Sequence, residues 1–181
     1  MYADYQRELD YIGQSAIDNV PDQDWVKIEL TARSFGGCME VEAWYWQAGE
    51  SEAIEFEPDY ELGDEDDNGI LDVFENIKWE IYQLHPQEGT WIECVLNFDR
   101  DHDYTIDFEY DAQPVFYNIE GELETSDYIE EWESYPRTRA NTPEWWLEIL
   151  KHNGIEVGDT LPEAAGVPSS SQPGHEPPLS S

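Results

Sequence analysis

Acidic side chains in this chain recur at every second position of segments that are otherwise strongly apolar. From Tyr104 to Asp111, the residues Tyr104, Ile106, Phe108 and Tyr110 interleave with Thr105, Asp107, Glu109 and Asp111. Glu40 and Glu42 interleave in the same way with Met39, Val41 and Ala43. Successive side chains of a β-strand point to opposite faces, so this spacing predicts strands with one core face and one row of carboxylates. Forty-three Asp and Glu against eight Lys and Arg give a formal charge of −35. A sheet with such a surface folds against its own repulsion. The expectation is a basic partner.

The 181 residues suit one domain, and 39% hydrophobic with 14% aromatic content argues for a packed core rather than a disordered acidic chain. No apolar run reaches transmembrane length. The N-terminus lacks the basic and apolar regions of a secretion signal. Cys38 and Cys94 each fall within an expected strand, as small buried hydrophobes rather than a disulfide framework, which fits a cytoplasmic address. Phosphate contacts need a basic face, so direct nucleic-acid binding is disfavoured. The same sign argument excludes anionic membranes.

Along the chain, Tyr5, Leu9, Ile12, Ala16 and Val20 predict an amphipathic helix over about 2–19, ended by Pro21. A strand follows at 25–33, then a Gly36-Gly37 turn, a second strand at 38–47 and a short third through Ile54 and Phe56. Leu71, Phe74, Lys78, Ile81 and Leu84 step along a second helix that stops at His85-Pro86. Ile92, Cys94, Leu96 and Phe98 then alternate inward, a turn spans Asp99–Asp103, and a fifth strand runs from Tyr104 to Tyr110. Acids and aromatics alternate irregularly to about 135, and Pro143 opens a short helix closed by Gly154. The fold class is α+β: an antiparallel sheet of about five strands with helices packed on one face. Residues 1–157 form a single domain, and 158–181, rich in Pro and Ser without apolar periodicity, read as a flexible tail.

Two sets of residues could carry function. Asp64, Asp66, Asn68, Ile70, Asp72 and Glu75 match the ligand spacing of a calcium loop, with Gly69 nearby and a helix following. No helix precedes the loop, and matches of this kind arise readily in a chain so rich in Asp and Glu. The bland alternative is an acidic loop leading into a helix N-terminus. The second set is the outward row Asp107, Glu109 and Asp111 together with Glu40, Glu42, Trp44 and Trp46, an aromatic anchor inside a carboxylate field. A neighbouring segment covering the two tryptophans is the competing reading. Nothing points to catalysis. The four histidines lack metal or catalytic spacing, and neither a C-x-x-C pair nor a Gly-rich phosphate loop occurs.

The run from Gly89 through Trp91 and Cys94 to Asp99, followed by Asp107-Phe108-Glu109-Tyr110-Asp111 and Pro114-Val115-Phe116, resembles the YezG-like immunity (antitoxin) proteins. So does Asp24-Trp25 with the strand after it, and Tyr135-Pro136-Arg137 with Pro143-Glu144-Trp145 looks like the ending of actinobacterial relatives. The resemblance covers about residues 5–150. The chain departs from it at the Asp99–Asp103 turn, where relatives tend to carry Gly, and in its acidic 59–69 loop and its tail. The resemblance implies an immunity protein, without enzymatic activity or a required cofactor, that neutralises a cognate toxin, often a nuclease. A nuclease must be basic where it grips phosphate, so a carboxylate face is a suitable counterpart. The alternatives are a calcium-binding interaction module on the 64–75 loop and a DNA mimic that blocks DNA-binding proteins.

Overall fold

A computed structural model of the chain describes residues 6–58, 69–101, 103–118 and 121–162, with side chains from residue 8. It contains α1 (Gln6–Asn19), β1 (Trp25–Phe35), β2 (Cys38–Gln47), β3 (Ile54–Phe56), α2 (Ile70–Leu84), β4 (Glu93–Asp99), β5 (Tyr104–Glu109), α3 (Thr125–Ser134), a 3-10 turn and α4 (Glu144–His152). The five strands form one antiparallel sheet in the order β3-β2-β1-β4-β5. The α+β class and the strand number follow the sequence pattern.

Register fixes the core. Gly36 and Gly37 take positive φ values of 58° and 77°, as a two-residue hairpin turn requires, and pair Phe35 with Cys38. From there the alternation places Ile28, Leu30 and Ala32 beside Tyr45, Ala43 and Val41 on one face, with Phe98, Leu96 and Cys94 on the other flank. The apolar stripes of α1 (Leu9, Ile12, Ala16) and α2 (Ile70, Val73, Phe74, Ile77, Ile81) bury this face. Helix α1 lies so close that a Cβ on Gly13 would stand 2.4 Å from the Phe98 ring. Cys94 is buried in this core and Cys38 half-buried at the start of β2, both as free thiols.

A second cluster forms beyond the hairpin turn. Phe35, Ile92, Trp146, Leu150 and Val157 are buried there, with Tyr128, Trp132 and Trp145 against them. Helix α3 lies in the stretch expected to be irregular. Its signal was Tyr128, Ile129 and Trp132 at helical spacing, diluted by Asp127, Glu130, Glu131 and Glu133. Docking decides the matter: a Cβ on Gly36 would meet Asp127 at 2.5 Å, so only glycine lets α3 reach the turn. Arg137, 1% exposed, sits under the Trp146 ring and donates to the carbonyls of Thr90 (2.9 Å) and Tyr110 (3.0 Å). At the far end Val157 is buried and the Gly158 carbonyl accepts the Arg139 N–H at 2.8 Å. Residues 163–181 lie outside the described residues.

Candidate functional site

The face of the sheet opposite α1 and α2 can be read in rows across the strands. Glu40, Arg33, Glu93 and Glu109 form the row nearest the hairpin turn. Glu42, Thr31, Val95 and Asp107 form the next. Glu55, Trp44, Glu29, Asn97 and Thr105 form the third, and Trp46, Lys27 and Asp99 the fourth. Trp44, Trp46 and Val95 are half-buried and belong to neither hydrophobic cluster.

The first row is a closed structural unit. Arg33 reaches Glu42 at 2.6 Å and Glu40 at 3.1 Å through Nη1, and Glu93 at 2.8 Å through Nε. Burial works against the charged guanidinium, but the hydrogen bonds it donates to Glu42, Glu40 and Glu93 outweigh it and raise its pKa above the ordinary value. The carboxylate of Glu40 also accepts the backbone N–H groups of Tyr117 (3.1 Å) and Asn118 (2.9 Å), and the Tyr117 ring lies over Arg33. Glu40 is therefore buried under a strap of chain rather than offered to a partner. That corrects the sequence expectation. Glu42 is bound to Arg33 and mostly covered.

The outward row at 107, 109 and 111 is also revised. Strand β5 ends at Glu109, and Tyr110 and Asp111 fall in a bend. Asp107 and Glu109 share the outer face, whereas Asp111 has left the strand. The Glu109 carboxylate turns back to accept N–H groups from Asp111 (2.8 Å) and Ala112 (3.1 Å), which hold its pKa below the ordinary carboxylate value. The Asp111 carbonyl accepts Trp145 Nε1 at 2.8 Å. The chain leaves the sheet here because Trp145 and Arg137 capture the carbonyls of residues 110 and 111.

The third and fourth rows hold the aromatic part of the site. Trp44 lies between Glu55 on β3 and Glu29 on β1. Lys27 places Nζ 4.3 Å from the centre of the Trp46 ring and 2.8 Å from Glu29. Both tryptophans are half-buried. Lys27 is the one cation the ladder puts in these two rows.

Two other cations, Lys78 and Arg137, face inward. Lys78 is fully buried, 2.8 Å from Glu131 Oε1, and donates to the Ser34 carbonyl and hydroxyl at 2.9 and 3.0 Å. Burial pulls its ammonium below the ordinary lysine value, against the opposing attraction of Glu131. Arg137 is lowered by burial in the same way, with Glu131 and Asp111 opposing. With Lys78 and Arg137 inside and Arg33 enclosed, three of the eight basic residues do little to offset the acids outside. Sequence reasoning missed Arg33 as the organiser of its row. The two-residue turn carried the signal, because it sets Arg33 opposite Glu40.

In the calcium-loop pattern, Asp64, Asp66 and Asn68 lie outside the described residues. Ile70 begins α2 with its side chain in the core, Asp72 accepts the Gly69 N–H at 3.0 Å, and Glu75 sits on the exposed side of the helix. Among the described residues no cluster of three or more His, Cys, Asp or Glu is placed to hold a metal. No described helix is long and apolar enough to cross a membrane.

No protein-family model matches the chain. It is similar to a yeast (Saccharomyces cerevisiae) protein named altered inheritance rate of mitochondria protein 29, 35% identical over 81 residues, 43% of this chain and 51% of that protein. The chain thus spans about half the length of the curated relative it matches.

Proposed function

We propose that this protein is a stoichiometric binding protein whose outer sheet face docks a basic protein, and that the partner is a cognate toxin of nuclease type, as the resemblance to YezG-like immunity proteins implies. One observation carries the reading. Trp44 and Trp46 stand half-buried, outside both hydrophobic clusters, on a face that also carries Glu29, Glu55, Glu42 and Asp107. Large aromatic side chains within a complementary charged rim are the usual anchors of a protein interface. The buried cations leave the acidic field largely uncompensated, which speeds encounter with a basic partner and repels anionic competitors. Binding alone inhibits such a toxin when the face fills its phosphate-binding groove, so no catalysis is involved.

The test is co-expression. The product of the neighbouring reading frame, if it ends in a basic domain, should arrest growth alone and not in the presence of this protein. Trp44→Ala with Trp46→Ala, in a variant that keeps its thermal transition, should abolish protection. A doubly substituted protein that protects as well as the parent removes this face from the interface.

A further inference from the structure

Strand β5 has one paired flank and one open flank. Two hydrogen bonds fix which backbone groups face which way. The Ser34 N–H donates to the Ile92 carbonyl at 3.0 Å, in register with the β1–β4 ladder, so the main-chain groups of Cys94, Leu96 and Phe98 point to β1 and those of Glu93, Val95 and Asn97 to β5. The Asp99 N–H donates to the Asp103 carbonyl at 3.0 Å, in register with the β4–β5 ladder, so Thr105, Asp107 and Glu109 direct their main-chain groups to β4. The alternate residues Ile106 and Phe108 therefore point N–H and C=O outward. The Tyr110 carbonyl, next in that series, is outward too and is taken by Arg137 at 3.0 Å. Among the described residues no strand pairs with this flank.

An open edge of this kind is a template for another extended chain. Its charge selects the occupant. Asp101, Asp103, Asp107 and Glu109 flank or line the strand, and all four are exposed. Two copies of the protein pairing edge to edge would set these rows against each other between bodies of −35 each. We propose that β5 is the docking edge for an extended cationic segment of the partner protein, which adds a sixth strand through the N–H and C=O groups of Ile106 and Phe108 and places its Lys or Arg side chains against Asp107 and Glu109. This rests on the proposed function and specifies the mode of contact: the partner continues the sheet rather than only covering its face.

The probe is a seven-residue peptide of alternating Lys and Val with blocked termini, added to the full chain at physiological salt, with amide hydrogen exchange read residue by residue. Exchange at Ile106 and Phe108 should slow by about tenfold or more as their N–H groups enter a ladder, while Thr105 and Asp107, already bonded to β4, hold their rates. A Glu/Val peptide should leave all four unchanged. Ile106→Pro removes one outward N–H without touching the β4 ladder and should weaken the peptide at least about tenfold, in line with the loss of a main-chain bond from a short interface. The measurement on the unaltered chain stands even if this variant does not fold. Peptide binding that shifts Trp44 and Trp46 fluorescence without protecting Ile106 and Phe108 overturns the edge and leaves the acidic face standing. No change at either place overturns both, and equal protection by the Glu/Val peptide overturns the cationic assignment.

Discussion

Lys78 Nζ lies 2.8 Å from Glu131 Oε1 with both side chains 2% exposed, and this pair joins α2 to α3 across the hairpin turn. The other Glu131 oxygen accepts the Gly36 N–H at 3.0 Å, and the Tyr135 ring lies 5.0 Å from the ammonium. One buried carboxylate thus ties helix α2 and the hairpin turn to α3. Removing one partner strands a buried charge, whereas removing both does not. Lys78→Met alone should cost about 3–5 kcal/mol, and Lys78→Met with Glu131→Leu should recover most of that. Urea denaturation of the two variants and the parent measures it, and a double variant as weak as the single one would contradict the charge argument.

Arg33 is the counterpart on the opposite face. Lysine cannot replace it, because Glu93 is reached through Nε and Glu40 and Glu42 through Nη1, a fork that a point charge lacks. Arg33→Met should destabilise by about 3–5 kcal/mol by leaving the buried Glu40 without its cation. Arg33→Lys should recover less than half, and Glu42→Gln should cost about 1 kcal/mol. The same variants should release the strap at Tyr117, seen as faster exchange of the Tyr117 and Asn118 amides, which both donate to Glu40.

Glu109 gives a pH dependence whose sign is fixed by its bonds. Its folded pKa is depressed by the N–H groups of Asp111 and Ala112, so the unfolded chain binds the proton more readily. The stability it contributes is present above the ordinary glutamate value of about 4.3 and is lost as pH falls through the lower folded value. The side-chain carboxyl signal of Glu109 in an NMR titration should therefore move below the ordinary glutamate value of about 4.3. Glu109→Gln should flatten the acid side of the stability curve slightly.

The end of the packed body follows from Val157 and Gly158. A chain ending at Pro162 should melt with the full-length protein, because the sequence beyond has no apolar periodicity to bury. Ending it at Gly154 removes Ile155 and Val157 from the second cluster and the carbonyl that accepts the Arg139 N–H. That should cost about 2–4 kcal/mol, by analogy with large-to-small core substitutions. Thermal denaturation of the two truncations separates the cases.

The period-two alternation was enough to assign faces. Ile28, Leu30 and Ala32 against Lys27, Glu29 and Arg33 give β1 its two sides, and Gly36-Gly37 then fixes the β1–β2 register down to the pairing of Arg33 with Glu40. The same pattern puts Trp44, Trp46, Asp107 and Glu109 on one face. It overran at Tyr110 and Asp111, because alternation does not show where a strand ends when distant residues take its carbonyls. It passed over α3, whose acid-rich surface dilutes a helical stripe that matters only once Phe35 and Trp146 are beside it.

What the sequence by itself determined is the sheet, its core face and the sign of its outer surface. These depend on spacing within a strand and on a turn that only glycine fits, both local properties. The tertiary structure alone decided which acids are available. Glu131 is held by Lys78 and Gly36, and Glu40 by Arg33, Tyr117 and Asn118, whereas Asp107 and Glu109 stay exposed. The reason is physical: the face on which a carboxylate stands follows from its neighbours along the chain, whereas the donor that claims it is brought from elsewhere by packing.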